Sequence, residues 1–320
     1  MTGPDTLPEI SIVVPCYNEE AGLAPFWERL CAVMRPLSPS WEVVFINDGS
    51  RDRTMDVLHG LQPPQSCTIR IVDFSRNFGK EAAVTAGLDH ATGHSVVIID
   101  ADLQHPPETI VTMVEEWHKG AEVVLCKRRS RATDPALRTW FSNRFYQLSS
   151  KLFEINIPRD VGDFRLMDRV VVDALARMRE NQRFMKGIFA WIGFHSVTVE
   201  FEVAEREHGT SSFNLWKLLN FAVDGITSFT TVPLRLWFYI GSIVSFLGLT
   251  YGTSIIVNTL FHGNAVPGYP SLVALIAFMG GIQLIGIGVL GEYLGRTYRE
   301  VKQRPIYVIR RVTDTKSGDV

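Results

Sequence analysis

The sequence predicts a doubly wound α/β domain with a mostly parallel sheet, followed by a hairpin of two transmembrane helices. Two observations lead to this prediction. Unbroken Val/Ile-rich runs alternate with helical stretches in the first part of the chain, which is typical of parallel strands covered on both faces. Charged residues are spread through residues 1–235 and almost disappear between residues 236 and 291, as expected of segments that lie in a bilayer.

The strands and helices of the α/β domain follow from these runs. The predicted strands are residues 9–15, 41–48, 68–75, 95–102 and 121–127. The predicted helices are residues 21–37, 51–61, 79–91 and 106–119. Parallel strands joined by right-handed crossovers run in one direction, so their carboxyl ends lie at one edge of the sheet, and α/β domains bind their ligands at that edge.

Two apolar segments are long enough to cross a membrane. Residues 236–261 and 269–291 contain no Asp, Glu, Lys or Arg, and a bilayer core of roughly 30 Å requires about 20 helical residues. Lys and Arg flank the hairpin but are absent from the connection between its helices. We therefore expect an integral protein of the inner or plasma membrane, with the α/β domain and both termini in the cytoplasm.

The predicted boundaries divide the chain into four parts. They are an α/β domain at 1–212, an amphipathic interfacial helix at 213–234, the hairpin at 235–292, and a second interfacial helix with a tail at 293–320. The amphipathic segment places Leu215, Leu218 and Ile226 on one helical face. This pattern is typical of a helix on the cytoplasmic leaflet, and a helix packed on the domain would have the same pattern.

The composition argues against several other kinds of protein. The formal net charge of -2 gives no bulk attraction to nucleic acid. The four cysteines are far apart and form no CxxC pair, so we expect reduced thiols instead of disulfides or a zinc site. The N-terminus lacks the basic and apolar regions of a cleaved signal peptide. The GxGxxG match at residues 286–291 lies inside an apolar span, where it predicts close helix packing and not a nucleotide site.

Polar segments follow four of the predicted strands: PCYNEE, NDGSRDRT, SRNFGKEAA and DADLQ. A single acid or serine, such as Asp52 or Ser50, is often only a helix cap, but four such ends at one edge favour a site. Asp100 and Asp102 are two residues apart and point to the same side. With the amide of Gln104 they offer the oxygen ligands that Mg²⁺ takes beside substrate phosphates. The sequence therefore predicts a divalent cation, Mg²⁺ or Mn²⁺, next to a leaving diphosphate.

The ordered segments VVPCYNEE, NDGSRDRT and DADLQ resemble family 2 glycosyltransferases with the GT-A fold. The continuation GDFRLMDR (162–169), QRFMKGIFAWIGF (182–194) and EREHGTSSFNLWKL (205–218), followed by two membrane helices, is similar to the polyprenyl-phosphate glycosyltransferases. That group includes dolichyl-phosphate mannose synthases and bactoprenol glucosyltransferases. The likeness covers residues 8–311 and implies inverting transfer of a sugar from a nucleotide-sugar to a polyprenyl phosphate on the cytoplasmic leaflet. It also implies a homotetramer.

The resemblance implies roles for individual residues. They are nucleotide binding for Pro15, Tyr17, Asn18, Glu19, Asp48 and Asp100, metal binding for Asp100, Asp102 and Gln104, catalysis for Asp102, Arg128 and Asp163, and acceptor phosphate binding for Arg206, Ser211 and Lys217. Arg128 is equally typical of a solvated surface charge. Asp163 would accept a proton, hold a sugar hydroxyl or hold a basic neighbour. A phosphate monoester has a second pKa of about 6, so it is already a nucleophile and needs no strong general base.

The donor sugar stays open at this point. GDFRLMDR and FMKGIFAWIGF resemble the bactoprenol glucosyltransferases most, so UDP-glucose is the first expectation. GDP-mannose and other UDP-sugars are alternatives, because one or two pocket contacts decide the donor. A processive polysaccharide synthase would be expected to carry a QxxRW motif, which the sequence lacks. A non-catalytic membrane scaffold would not require the metal ligands of DADLQ.

Overall fold

A mixed β-sheet with helices on both faces forms the centre of the N-terminal part. The computed structural model describes residues 7–128, 161–180, 185–201, 232–262 and 268–316. The strands are β1 (Ile10–Cys16), β2 (Trp41–Asn47), β3 (Cys67–Phe74), β4 (Ser95–Ile98), β5 (Val123–Arg128), β6 (Val161–Asp168), β7 (Ser196–Phe201) and β8 (Ile309–Lys316). The helices are α1 (Leu23–Leu37), α2 (Thr54–Gly60), α3 (Lys80–His90), α4 (Thr109–His118), α5 (Arg169–Ala176), α6 (Met185–Trp191), α7 (Val232–His262) and α8 (Tyr269–Val301).

The strands of the described residues are ordered β7-β5-β6-β4-β1-β2-β3-β8. β1 pairs in parallel with β2 and β4, β2 pairs in parallel with β3, and β5 pairs in parallel with β7. β6 is antiparallel to β4 and β5, and β8 is antiparallel to β3. The mostly parallel sheet is confirmed, and the carboxyl ends of β1 to β4 lie side by side.

Three strands of the sheet, β6, β7 and β8, are absent from the strands that the sequence predicts. Charged residues interrupt the apolar ones in β6, as the buried Arg165 does between Phe164 and Leu166. β7 and β8 alternate exposed and partly buried residues. These strands therefore lack the continuous apolar run that marks a strand covered on both faces.

Helices bury their apolar faces on both sides of the sheet. In α1, Leu23, Phe26, Leu30 and Met34 recur at spacings of three and four residues and are fully buried, as on one face of an amphipathic helix. They pack with α2 and α4 on one side of the sheet, while α3, α5 and α6 pack on the other. Burial of each such side chain contributes about 1.5–3 kcal/mol. The two layers therefore hold the strand ends in fixed positions.

The hairpin consists of two long apolar helices. α7 has 31 residues and α8 has 33, so each is about 45–50 Å long at 1.5 Å per residue. Large apolar side chains point outward, and Phe246 is 69% exposed and Phe261 79% exposed. Within the described residues, two helices are long and apolar enough to cross a membrane, over Leu236–Ser254 and Phe278–Val301. The helices include the predicted spans 236–261 and 269–291.

The C-terminal part differs from the predicted interfacial helix and tail at 293–320. Residues 293–301 continue α8 without interruption, and residues 309–316 form β8 at the edge of the N-terminal sheet. Charged residues interrupt the tail, so its apolar pattern does not predict this edge strand. Most of the predicted interfacial helix at 213–234 lies outside the described residues, and residues 232–234 are the first turn of α7.

The GxGxxG match at residues 286–291 lies inside α8, where it marks helix packing. A Cβ atom on Gly286 would overlap the indole of Trp237 on α7, so the small residue allows the two helices to approach. Gly248 and Gly252 of α7 have no described atom within 4 Å of an added Cβ. Close packing within the described hairpin therefore occurs at Gly286 and not at Gly248 or Gly252.

Candidate active site at the carboxyl edge of the sheet

A cleft of about 320 Å³ lies where the carboxyl ends of β1 and β4 diverge. This is the point at which the strand order reverses, and ligands of α/β sheets bind there. Predicted site residues from three different strand ends line it. They are Pro15, Tyr17, Glu19, Asp48, Asp100 and Asp102. The structure therefore brings together the acids that the sequence placed at separate strand ends.

The loops after β1 and β2 are joined by hydrogen bonds at the rim of the cleft. Asn18 has a positive φ of 56°. Its N–H donates to Ser50 Oγ at 3.0 Å, and its Oδ1 accepts from the N–H of Arg51 at 2.9 Å. The N–H of Glu19 donates to Thr54 Oγ1 at 2.9 Å. Asn18 thus supports the loop that presents Tyr17 and Glu19 to the cleft.

Asp52 has the local role expected of a capping acid. Its Oδ1 accepts from the N–H and the hydroxyl of Thr54 at 3.1 and 2.6 Å, and its Oδ2 accepts from the N–H of Glu20 at 3.2 Å. Burial alone would raise the pKa of Asp52, but these hydrogen bonds outweigh burial and lower the pKa. Asp52 therefore stabilises the two loops and does not enter the cleft.

Asp48 fixes the loop between β3 and α3. Its side chain is buried, and its two oxygens accept from the backbone N–H groups of Phe78 at 2.6 Å and Gly79 at 2.9 Å. Burial raises the pKa of Asp48, although these bonds and the charge of Arg76 oppose the rise. Gly79 has a φ of 99° and directly precedes Lys80, the first residue of α3. Asp48 therefore helps to fix the backbone position from which the Lys80 side chain extends.

Lys80 bridges two of the predicted site acids. Its Nζ lies 2.7 Å from Asp100 Oδ1, 2.8 Å from Asp100 Oδ2 and 3.1 Å from Asp163 Oδ2. Burial alone would lower the pKa of Lys80, but the charges of Asp100 and Asp163 outweigh burial and raise the pKa. The ammonium is therefore held firmly in the charged form between the two carboxylates.

Asp163 reaches this edge because β6 runs against its neighbours. The antiparallel pairing of β6 with β4 and β5 places the start of β6 beside the carboxyl end of β5, where Val161 pairs with Lys127. Of the three roles left open for Asp163, the contact with Lys80 fits the holding of a basic neighbour.

Asp102 and Gln104 form a tight turn after β4. The N–H of Gln104 donates to Asp102 Oδ1 at 3.1 Å, and Leu103 between them has a φ of 58°. Among the described residues, no Lys or Arg lies in an ion pair with Asp102. The side chain of Gln104 is half-buried, and the cleft lining includes Asp102 but not Gln104.

The donor set fits a divalent cation that is shared with a ligand. Asp100 and Asp102 face the same cleft, and Asp100 already pairs with the ammonium of Lys80. The described residues contain no group of three or more His, Cys, Asp or Glu that would hold a metal by themselves. Two carboxylates completed by phosphate oxygens and water are the usual protein environment of Mg²⁺.

Two residues of the site, Lys80 and His105, are absent from the predicted site residues. His105 is buried, and its Nδ1 lies 3.6 Å from Asp100 Oδ2. Its ring packs against Phe164 and Phe201 at centroid distances of 5.0 and 5.6 Å. His105 follows DADLQ directly in the sequence, and that position was the available signal. The 3.6 Å separation is longer than a hydrogen bond, so His105 adjoins Asp100 by packing.

The predicted acceptor side lies largely outside the described residues. Arg206, Ser211 and Lys217 all fall between residues 202 and 231. Arg128 is the last residue of β5, so its backbone lies at the same edge of the sheet as the cleft.

Comparison with known proteins agrees with this organisation. Residues 11–176 match the family Glycosyl transferase family 2, and residues 232–297 match the GtrB C-terminal hairpin. A prophage bactoprenol glucosyl transferase homolog of Escherichia coli (strain K12) is 49% identical over 304 residues, which cover 95% of this chain and 99% of the relative. The bactoprenol glucosyl transferase of Shigella phage SfII is 48% identical over 303 residues, which cover 95% and 98%. An uncharacterized glycosyltransferase of Synechocystis sp. is 48% identical over 301 residues, which cover 94% of each chain.

The resemblance to polyprenyl-phosphate glycosyltransferases is confirmed by these matches, as is the α/β fold with a C-terminal hairpin. The chain belongs to glycosyl transferase family 2 and is a glycosyltransferase of the type that carries the GtrB C-terminal hairpin.

Proposed function

We propose that the protein transfers glucose from UDP-glucose to a polyprenyl phosphate, with inversion at the anomeric carbon. The observation that carries the proposal is an acidic cleft at the strand ends of a family 2 domain that is joined to a GtrB-type hairpin. Relatives of nearly full length that are named bactoprenol glucosyl transferase support glucose and a polyprenyl acceptor.

The nucleotide would bind against the ends of β1 and β2. Tyr17 is 44% exposed at the cleft, so its ring is available to stack on a base. Each oxygen of Asp48 accepts one backbone hydrogen bond and keeps a further lone pair. Asp48 can therefore still accept a hydrogen bond from a base N–H, which supports its proposed role in nucleotide recognition.

The diphosphate would lie at the end of β4. Asp100 and Asp102, with the amide of Gln104, would hold a divalent cation, Mg²⁺ or Mn²⁺, and such a cation would supply positive charge beside the leaving diphosphate.

The acceptor side requires cations and not a strong base. Arg128, Arg206, Ser211 and Lys217 would bind the incoming phosphate, whose dianion attacks the anomeric carbon directly and inverts it. Asp163 contacts the ammonium of Lys80 at 3.1 Å, and a carboxylate paired with a cation is a poor proton acceptor. Positioning of the two phosphates would then supply most of the rate enhancement.

The hairpin would place this reaction at the membrane surface. We infer that α7 and α8 cross the inner or plasma membrane and that both termini lie in the cytoplasm. The exposed apolar side chains of the two helices support the membrane location. A homotetramer is proposed from the family resemblance.

A donor screen tests the proposed function. Purified full-length protein is incubated with a short polyprenyl phosphate, Mn²⁺ and either UDP-glucose, GDP-mannose or another UDP-sugar, and both lipid-linked sugar and nucleoside diphosphate are measured. We expect product with UDP-glucose, only in the presence of lipid phosphate and metal. Product with another donor alone would replace UDP-glucose in the proposal, and the absence of product with every donor would reject sugar transfer to this lipid.

The variant Asp102→Ala tests the proposed metal site in the same assay. Removing this carboxylate is expected to lower transfer by at least about 100-fold. Asp56→Ala is the control, because Asp56 is an exposed acid on α2 away from the cleft. Activity of Asp102→Ala near that of Asp56→Ala would contradict the proposed metal site.

A further inference from the structure

Lys80 is a cation built into an otherwise acidic site. Among the described residues that line the cleft, it is the only Lys or Arg, while Glu19, Asp48, Asp100 and Asp102 supply carboxylates. Its side chain is half-exposed, so ligands can reach it. Neither the strand-end pattern nor the family resemblance assigned a role to this residue.

The contacts of Lys80 are divided between a metal ligand and a neighbouring acid. Its ammonium contacts both oxygens of Asp100, at 2.7 and 2.8 Å, and one oxygen of Asp163, at 3.1 Å. A divalent cation bound to Asp100 would need an oxygen that the ammonium now contacts. It would also stand within a few ångströms of a like charge, which is strongly unfavourable in a partly desolvated cleft.

The chain offers the ammonium an alternative position. Asp163 comes from β6, and Asp100 follows β4, so the two acids approach Lys80 from different strands. The backbone before Lys80 is held by the hydrogen bonds of Asp48 to Phe78 and Gly79. The Cα position of Lys80 therefore stays fixed. Its ammonium, at the end of a flexible side chain, can leave Asp100 and remain in contact with Asp163.

We propose that Lys80 is the internal counter-cation of the metal site: its ammonium occupies Asp100 in the donor-free protein, and it retreats to Asp163 when a divalent cation arrives with the nucleotide-sugar. Lys80 is thus a positioning residue that competes with free metal and keeps Asp163 and Asp100 together until the donor binds. The inference rests on the proposed function in that the arriving metal accompanies a nucleotide-sugar.

Mn²⁺ binding in the absence of nucleotide tests the inference. Free Mn²⁺ is titrated into the full-length protein in detergent and followed by electron paramagnetic resonance. Lys80→Met removes the competing charge, so its Mn²⁺ affinity is expected to rise at least about tenfold over that of the unaltered protein. Lys80→Arg keeps the charge and is expected to return the affinity to within about threefold of the unaltered protein.

Two further variants separate local competition from other effects. Arg76→Met removes a nearby charge that packs on Phe78 and does not contact Asp100, and a change below about twofold is expected because exposed charges are screened. Lys80→Gln keeps a hydrogen-bond donor without the charge and must tighten Mn²⁺ binding as Lys80→Met does. Thermal melting of each variant verifies that the domain remains folded.

The inference is overturned if Lys80→Met binds Mn²⁺ no more tightly than the unaltered protein, or if neither binds it. It is also overturned if Arg76→Met gives the same gain, or if Lys80→Gln gives none. None of these readings depends on sugar transfer. Failure of the donor screen would therefore reject the proposed function while the Mn²⁺ series still decides the role of Lys80.

Discussion

At the scale of single residues, the cleft depends on backbone positions with positive φ. Asn18, Gly49 and Leu103 have φ values of 56°, 64° and 58°, and each follows a strand whose end contributes to the cleft. The left-handed conformation costs roughly 1–2 kcal/mol for a residue with a side chain. Hydrogen bonds such as Asn18 N–H to Ser50 Oγ and Gln104 N–H to Asp102 Oδ1 hold two of these turns in place.

Gly49→Ala is expected to lower both the melting temperature and the rate of transfer. A Cβ on Gly49 would lie 2.6 Å from the backbone N of Asn77 and would overlap the carbonyl carbon of Arg76. Backbone atoms do not give way easily, so the loop that leads to Lys80 must shift. We expect a loss of about 2 kcal/mol or more, measured by thermal melting, together with a lower initial rate of transfer.

Gly120→Ala is the matched control for Gly49→Ala. Gly120 also has a positive φ, 102°, but an added Cβ there meets no described atom within 4 Å. It lies between α4 and β5, so this variant carries only the conformational cost. Its melting temperature should fall less, and its transfer rate should stay unchanged. Equal losses of rate in the two variants would contradict the role of the loop.

The acids of the site can be predicted from the sequence one by one. The lysine that pairs with them, Lys80, cannot. Asp100 and Asp102 directly follow an apolar run, which marks them as strand-end residues. Lys80 begins a helix, where a lysine is ordinarily a solvated charge. Its contact with Asp163 depends on β6, a strand that the apolar pattern does not predict. The bridge therefore becomes visible only when the fold brings the two segments together.

At the scale of elements, β8 attaches the segment that follows the hairpin to the α/β domain. Arg70 on β3 donates to both oxygens of Asp314 at 2.8 and 3.0 Å. The ring of Tyr307 stacks on Phe74 at a centroid distance of 5.1 Å, and its hydroxyl donates to Asp89 at 2.7 Å. The domain is thus linked to α8 by a short, well-anchored connection.

Asp314→Ala is expected to weaken this attachment. A bidentate bond between Arg and a carboxylate is stronger than a simple surface pair, and we expect a loss of about 1 kcal/mol. For a domain of this size that corresponds to roughly 2–4 °C in the melting temperature. Arg311→Ala in the same strand is the control, since Arg311 is exposed and has no ion pair within the described residues. A similar loss in both variants would show that the strand, and not the Arg70 pair, carries the effect.

The strands of the sheet differ in how well they can be predicted. β1 and β2 are buried on both faces, β3 is mostly buried, and their apolar residues predict all three strands to within one residue at each end. β4 ends at Ile98, four residues before its predicted end, because the chain turns at Asp100 to Gln104. β8 is an edge strand with charged residues, which protect a sheet edge from unwanted pairing and also hide it from pattern analysis.

At the scale of the whole molecule, introduced cysteines can test the proposed membrane orientation. They report on which side of the membrane the hairpin connection and the α/β domain lie. Asn264→Cys in the connection should react with a membrane-impermeant maleimide in intact cells. Lys119→Cys, an exposed position of the α/β domain, should react only after lysis. The opposite result would reverse the proposed orientation.

The natural cysteines are expected to give little background in this labelling experiment. Cys16, Cys31, Cys67 and Cys126 are all buried. Burial raises the pKa of Cys31 to about 11 and raises the pKa of the other three as well, so few thiolates form near neutral pH. The unaltered protein should therefore remain unlabelled, and labelling of it would invalidate the assignment.

The division into a domain and a hairpin was predictable because the bilayer imposes a long uncharged segment on any sequence that crosses it. The return of the chain from the hairpin to the α/β domain, as strand β8, could not be predicted in this way. It depends on the pairing of β8 with β3, two segments separated by most of the chain, and such long-range pairing has no local signal.

This return gives the protein an order of assembly during synthesis. Residues 309–316 are made after both hairpin helices, so the outer edge of β3 lacks its partner strand until the hairpin has been synthesised. Domains begin to fold while the ribosome is still working, and an open strand edge invites pairing with other chains. A chain that stalls at the hairpin therefore carries an unprotected edge, which makes it prone to aggregation and a target for cellular quality control.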